Sequence, residues 1–395
     1  MKILIVAADP RMPLGYSKII NKISNYLATK DDLEVVMFTI NYDETACIKN
    51  TYVDPRIKLM PLRDPNDFGY DKLQDVVDRE KPEYVLIYAC VNILYNYVIE
   101  LNETVKIVSY TDICQKWADT LKFQKMKSRI HHWFTFLDCW KDYLINDQKI
   151  DASKVSVLEH GVNFEEFEDL PIEECKKYFG FEDFTVVNMN RNSIRKEWYV
   201  TLSGFIEFIS RHEYDPSIKL YISCGTDNDP DKFCNVEEHV YVEFMKRGLD
   251  YMDYTTHFII NMRPLRLSKR ELNMIYCAAD VGMNTCLSEG FGLSSVEHAY
   301  FNKPQILTDI PTFRDTLCEY PVYVKPHVIT SYFGSNDLNG ERAILNDMDV
   351  ADALDKCYKE RPIVNTREYV LNRYSWQNIH KQIDCMYDIL KDGSV

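Results

Sequence analysis

The chain has 395 residues, 46% of them hydrophobic and 27% charged, which exceeds one hydrophobic core and suits two domains of ordinary size. Its formal net charge of -15 excludes general attraction to nucleic acid and leaves at most peripheral contact with an anionic membrane, since both need clustered Lys and Arg. Twelve cysteines form no Cys-x-x-Cys pair and no metal-ligand spacing with His, so they read as reduced residues of a cytoplasmic protein.

The first apolar run, residues 2–8, is strand-length and meets Asp9-Pro10 at once, which is not the pattern of a signal peptide. No lipidation signal is visible. A turn at 9–15 leads to a helical pattern over 16–28. Strands follow at 33–40, 57–60, 84–89, 105–110, 133–137 and 155–158, most of them separated by helical stretches. The apolar stretch 84–99 is interrupted by Asn92 and Asn96, so it predicts a strand and a helix and not a membrane span.

Residues 163–175 are acidic, carry Pro171 and hold few β-branched side chains, as expected of an interdomain connection. A second series starts at the strand 184–188. Trp198, Leu202, Phe205, Ile206 and Ile209 recur at helical spacing. Further strands are expected at 218–224, 257–261, 281–283 and 305–307, with helices around 236–246, 269–278 and 295–301. A last helix places Trp376, Ile379, Ile383, Met386, Tyr387 and Leu390 on one face. Two doubly wound α/β series imply Rossmann-like domains over 1–170 and 171–374, with the helix 375–392 returning to the first. Ligands in such sheets bind at the carboxyl ends of strands, and a cleft between two domains is the natural site.

The stretch from Asp280 to Ala299 carries the chemistry. A short strand ends in a loop with Gly290 and Gly292 and then opens a helix flanked by Glu289 and Glu297. Glycines permit close approach of the backbone, and a helix start presents N–H groups at a positive dipole end. Ser294-x-x-Glu297 also matches a capping box, which by itself accounts for Glu297. Both uses require a helix start and are compatible.

Glu289-Gly290-Phe291-Gly292 followed by Glu297 resembles the signature of glycosyltransferase family 4, retaining enzymes of the GT-B fold, in which two Rossmann-like domains face across a cleft. His160-Gly161-Val162-Asn163, the basic loop Asn190-Arg191-Asn192-Ser193-Ile194-Arg195-Lys196 and Tyr374-Ser375-Trp376 match further family segments in the expected order. The resemblance implies transfer of a hexose from a nucleotide-diphosphate sugar, GDP-mannose first and UDP-glucose next, to a glycan or other hydroxyl acceptor. A non-catalytic sugar-nucleotide-binding protein, or an epimerase or hydrolase on the same plan, is the alternative.

By that resemblance Arg191 and Lys196 hold the donor diphosphate, with Asn190, Asn192 and Arg195 beside them. Fixed cations would stabilise the negative charge left on the departing diphosphate. Glu289 contacts the donor sugar, the backbone of Gly290, Phe291, Gly292, Leu293 and Ser294 lies against sugar and phosphate, and Glu297 takes the ribose hydroxyls. Met262, Pro264 and Leu265 pack around the base.

In the first domain, Gly15 ends a loop that approaches the diphosphate, although the family's double glycine is replaced by Pro13-Leu14-Gly15. Where the family often has a His at the end of the strand 105–110, near the reacting carbon, this chain reads Ser109-Tyr110-Thr111-Asp112, and Asp112 is the expected replacement for substrate contact on the acceptor side. No cofactor or metal is expected. Asp227-Asn228-Asp229 and Asp347-Met348-Asp349 lie in loop or capping contexts. The Gly-x-Gly-x-x-Gly turn of nucleotide-dependent oxidoreductases and the Walker phosphate loop are both absent from the sequence.

Overall fold

The structure is a computed structural model that describes residues 1–64, 66–224, 234–261, 267–334 and 339–393. The chain divides into two compact units, Met1–Gly161 with Trp376–Val395, and Val162–Ser375. The division falls at Gly161, ahead of residue 170, and the expected connection 163–175 belongs wholly to the second unit. Its acidity is outweighed by aromatic packing. Phe164 stacks on Tyr300 with ring centroids 5.3 Å apart, and Phe167 lies 5.5 Å from Phe301. The Asn273 side-chain amide donates to the Glu166 carbonyl at 2.8 Å.

The first unit holds seven strands: β1 (Lys2–Ala8), β2 (Glu34–Ile40), β3 (Lys58–Pro61), β4 (Tyr84–Cys90), β5 (Ile107–Asp112), β6 (Ile130–Thr135) and β7 (Val155–Val157). They lie in the order β3-β2-β1-β4-β5-β6-β7, every neighbouring pair parallel. Residues Ile3 to Ala8 are all buried. A continuous apolar run is what a strand covered by helices on both faces requires. Asp112 is the last residue of β5.

The C-terminal helix Trp376–Lys391 belongs to this unit. It buries Ile379, Ile383, Met386 and Leu390 on one side. Asp384 accepts from the Tyr26 hydroxyl at 3.0 Å and pairs with Lys30 at 2.5 Å, while Tyr26 stacks on His380 at 3.9 Å.

The second unit has β8 (Phe184–Asn188), β9 (Ile218–Ser223), β10 (Phe258–Asn261), β11 (Val281–Asn284), β12 (Gln305–Thr308) and β13 (Val322–Val324). Their order is β10-β9-β8-β11-β12-β13, again all parallel. An antiparallel hairpin, β14 (Val328–Tyr332) with β15 (Gly340–Ile344), completes it. Strand β13 and the hairpin have no clear signal in the sequence, because they are short and the residues of β14 are largely exposed. The core gathers Trp198, Leu202, Phe205, Ile206 and Ile209 of the helix Trp198–Arg211 over β8 and β9.

Both sheets run outward in opposite directions from their first strand. The strand order therefore reverses between β1 and β4 in one unit and between β8 and β11 in the other. At such a point successive crossovers depart to opposite sides, which leaves an opening at the carboxyl ends of the strands.

The chain passes between units at two places that are far apart in sequence and adjacent in space. The Val162 N–H donates to the Tyr374 carbonyl at 2.8 Å, and Val162 forms a parallel bridge with Ser375. The indole of Trp376 lies flat against Gly161, where an added Cβ would meet ring atoms at 2.5 Å. This close approach explains the glycine. Gly161→Ala is expected to destabilise the first unit by about 1–3 kcal/mol through overpacking, measured as a lower urea midpoint at unchanged slope.

Candidate functional site

In the second unit the loops after β8 and β11 meet at the strand-order reversal. Backbone hydrogen bonds lock them together. The Leu287 N–H donates to the Arg195 carbonyl at 2.8 Å, and the Leu287 carbonyl accepts from the Ala343 N–H of β15, also at 2.8 Å. Below them the Asn190 amide donates to the Asn188 side chain at 2.5 Å, and Asn188 donates to Thr201, which bonds Thr285. This buried polar chain ties both loops to the helix Trp198–Arg211.

Those bonds bring Lys196 and Glu289 into direct contact. The Lys196 ammonium hydrogen-bonds one oxygen of the Glu289 carboxylate. The Arg195 guanidinium lies 3.3 Å from the other oxygen and donates to the Ser288 carbonyl at 2.7 Å. The Gly290 N–H adds a bond to Glu289 at 3.1 Å, and the Thr312 hydroxyl holds the Glu289 carbonyl at 2.6 Å. Burial alone would raise the Glu289 pKa. The charges of Lys196 and Arg195 outweigh it, with hydrogen bonds from Lys196 and Gly290, and hold the carboxyl at about 2. A buried carboxylate is retained only when opposite charge and hydrogen bonds compensate its lost hydration.

The N-cap of the helix Leu293–Ala299 is Gly292 at φ +88°, with no side-chain cap. Ser294 is therefore the second helical residue and no capping box forms with Glu297. An added Cβ at Gly292 would meet Phe313 at 2.7 Å in a left-handed backbone, so the turn requires glycine. A capping box does exist nearby, at Ser268 and Glu271. The Glu297 carboxylate instead accepts from the Tyr276 hydroxyl at 3.1 Å.

Other expected residues are distributed unevenly. Phe291 is buried with its ring edge-on to Tyr374 at 5.3 Å, so its side chain is core and only its backbone stands at the loop. The Asn192 amide donates to the Cys234 carbonyl at 2.7 Å and accepts from the Cys234 N–H at 2.9 Å, which ties its loop to the start of the helix Val236–Lys246. Arg191 is exposed, and its carbonyl accepts from the Trp198 indole at 3.0 Å. Arg195, not Arg191, joins Lys196 on Glu289. Met262, Pro264 and Leu265, and Asp227 to Asp229, lie outside the described residues. Asp347 and Asp349 sit in the first turn of the helix Asp347–Glu360, where carboxylates complement the dipole. Ser193 Oγ, Ser288 Oγ and Asn284 Nδ2 are buried around the site with no hydrogen-bond partner among the described residues. Orphaned buried donors are rare in folded proteins.

The first unit has its own polar cluster at the carboxyl ends of its strands. Asp112 accepts from the Tyr16 hydroxyl and, at 3.2 Å, from the Cys114 thiol. Tyr16 stands 4.8 Å from Tyr88, and Tyr88 stands 4.7 Å from Tyr110. Tyr110 donates to the Leu158 carbonyl at 2.8 Å and lies 2.7 Å from His160 Nδ1. Burial lowers the His160 pKa to about 3, so the imidazole is neutral and acts as a packed hydrogen-bonding residue. Gly15 is the first residue of the helix Gly15–Leu27, not a left-handed turn glycine. The turn before it is held by Asp9, which pairs with Arg11 at 2.8 Å and accepts from the Thr39 hydroxyl at 2.7 Å. Tyr16, Tyr276 and Thr312 are not legible as site residues, because each acts through a partner far away in sequence.

No protein-family model matches the sequence. The chain is 23% identical over 229 residues to the O-antigen chain mannosyltransferase RfbU of Salmonella typhimurium, a match that covers 58% of this chain and 54% of RfbU. It thus spans about half the length of that curated relative. The fold is similar to sucrose-phosphate synthase from Thermosynechococcus elongatus, with a TM-score of 0.71 at 15% identity over 100% of both chains. It is similar as well to Anabaena HepE in complex with UDP and glucose, with a TM-score of 0.70 at 13% identity over 98% of this chain and 99% of that one.

Two parallel sheets of the same order in one chain, with these neighbours, define the GT-B architecture. The resemblance to family 4 carried by Glu289-Gly290-Phe291-Gly292 and Glu297 is supported by the RfbU match.

The Glu289 pKa has a sign that can be checked. A carboxyl lowered from 4.5 to about 2 contributes stability that is complete above its unfolded value and lost as pH falls through the folded one. Glu289→Gln is expected to lower stability at pH 7 by on the order of 3 kcal/mol, because the buried Lys196 and the half-buried Arg195 lose their counter-charge. The gap between variant and wild type should narrow from about pH 4.5 toward pH 2. Denaturant titrations across that range measure it.

Proposed function

We propose that the protein is a glycosyltransferase that moves a hexose from a nucleoside-diphosphate sugar to a hydroxyl acceptor, with retention of anomeric configuration and without a metal. The observation that carries this reading is the Glu289 carboxylate held by Lys196 and Arg195 at the strand-order reversal of the second unit. A donor of this kind has a diphosphate that needs cations and a sugar with hydroxyls that need acceptors. Lys196 and Arg195 offer the first, and Glu289 offers the second.

As the glycosidic bond to phosphate breaks, negative charge grows on the leaving diphosphate. Lys196 and Arg195 are in place beforehand, so little reorganisation is needed when that charge appears. The N–H groups at the start of the helix Leu293–Ala299 add positive potential. With these groups present the reaction needs no divalent ion. Glu297 receives the ribose hydroxyls. Asp112, oriented by Tyr16, contacts the acceptor in place of the family's histidine. Retention follows front-face departure, in which the leaving phosphate takes the acceptor proton and no protein nucleophile is required.

GDP-mannose is the first donor to test and UDP-glucose the second. RfbU is a mannosyltransferase and HepE was solved with UDP and glucose, so each relative supports one of them. A thermal-shift screen of nucleotide sugars identifies the donor, because a ligand that binds only the native state raises its melting temperature.

Lys196→Ala is expected to reduce turnover by about a hundredfold or more, in line with loss of one preorganised charge donor, while the circular dichroism spectrum is unchanged. Unaltered turnover would remove Lys196 from the diphosphate. Transfer is also expected to continue in excess chelator. Complete loss there, restored by a divalent ion, would contradict the metal-free mechanism.

A further inference from the structure

Glu297 sits in a helix whose cap is a glycine, so no capping bond fixes its carboxylate. What reaches it is the hydroxyl of Tyr276, from the helix Lys269–Ala278 that precedes β11. Tyr276 is only 1% exposed. Its ring stacks on His298 with centroids 5.0 Å apart and planes 19° from parallel, and it packs on Phe301 at 5.7 Å. His298 is itself held by Gln305 at 3.0 Å. The ring is thus held between His298 and Phe301 in a buried position.

A buried phenol that donates to a half-exposed carboxylate has a definite effect. An ionised carboxylate accepts at about four lone-pair positions. Tyr276 occupies one of them on Oε2 and fixes the rotation of the group.

We propose that Tyr276 is a positioning residue, which holds the Glu297 carboxylate in the orientation that receives both ribose hydroxyls of the donor nucleotide. This rests on the assignment of Glu297 to the ribose made above. Tyr276→Phe removes only the hydroxyl and keeps the ring in its stack, so it tests the bond and not the packing.

The experiment is calorimetric titration of the full chain with GDP and UDP, and with their 2′,3′-dideoxy counterparts. Tyr276→Phe is expected to weaken binding of the better ribonucleotide about fivefold, the scale of one hydrogen bond to a charged group. It should leave the dideoxy nucleotide and kcat unchanged and raise the KM for the donor. In a Glu297→Gln background the Tyr276→Phe substitution should have no further effect, as expected of two residues that act as one unit. Equal losses for ribo- and dideoxy nucleotides would mean that Tyr276 only supports the fold, and overturn the proposal. So would an unaltered Tyr276→Phe affinity beside a weakened Glu297→Gln. If Glu297→Gln itself binds like the wild type, the ribose assignment fails. If the wild type binds neither diphosphate, the donor reading falls with it.

Discussion

Glu289 keeps a negative charge where little water reaches it, and much of the second unit is arranged so that this can happen. A carboxylate in such a place would take up a proton unless opposite charge stood within hydrogen-bonding distance. Lys196 and Arg195 supply that charge. They reach Glu289 because the Leu287 N–H bonds the Arg195 carbonyl and because Thr312 holds the Glu289 backbone. The three charged groups thus form a set whose members are each intolerable alone. A sugar diphosphate carries the complementary pair of features, anionic phosphates and neutral hydroxyls.

The strand order explains why such a set can exist at all. In each unit the sheet reverses direction between its first and fourth strands. Loops that leave neighbouring strands there diverge to opposite faces and leave their own ends exposed to a ligand. The second unit places Lys196 and Glu289 at that point. The first places Asp112 and Tyr16 at the carboxyl ends of its own strands, with the neutral His160 packed nearby.

Several local expectations gave way to packing. The acidic stretch after residue 162 reads as a linker by composition, yet Phe164 and Phe167 fasten it to Tyr300 and Phe301. Ser294 and Glu297 have the spacing of a capping box, but Gly292 already turns the chain into the helix, two residues earlier than a serine cap at Ser294 would. In each case a contact with a distant residue overrode a pattern of near neighbours.

The sequence by itself determined the alternation of buried strands and amphipathic helices, since continuous apolar runs and helical spacing leave few other ways to bury the chain. It determined the glycine-bearing loop before the helix Leu293–Ala299, with a carboxylate on either side of the glycines. Only the tertiary structure decided which cation meets Glu289, that Tyr276 reaches Glu297, and that the chain crosses between units at Gly161 beside Trp376. Periodicity records whether a side chain faces a core. It holds no record of which two loops, separated by 93 residues as Lys196 and Glu289 are, are brought together when parallel strands close into a sheet.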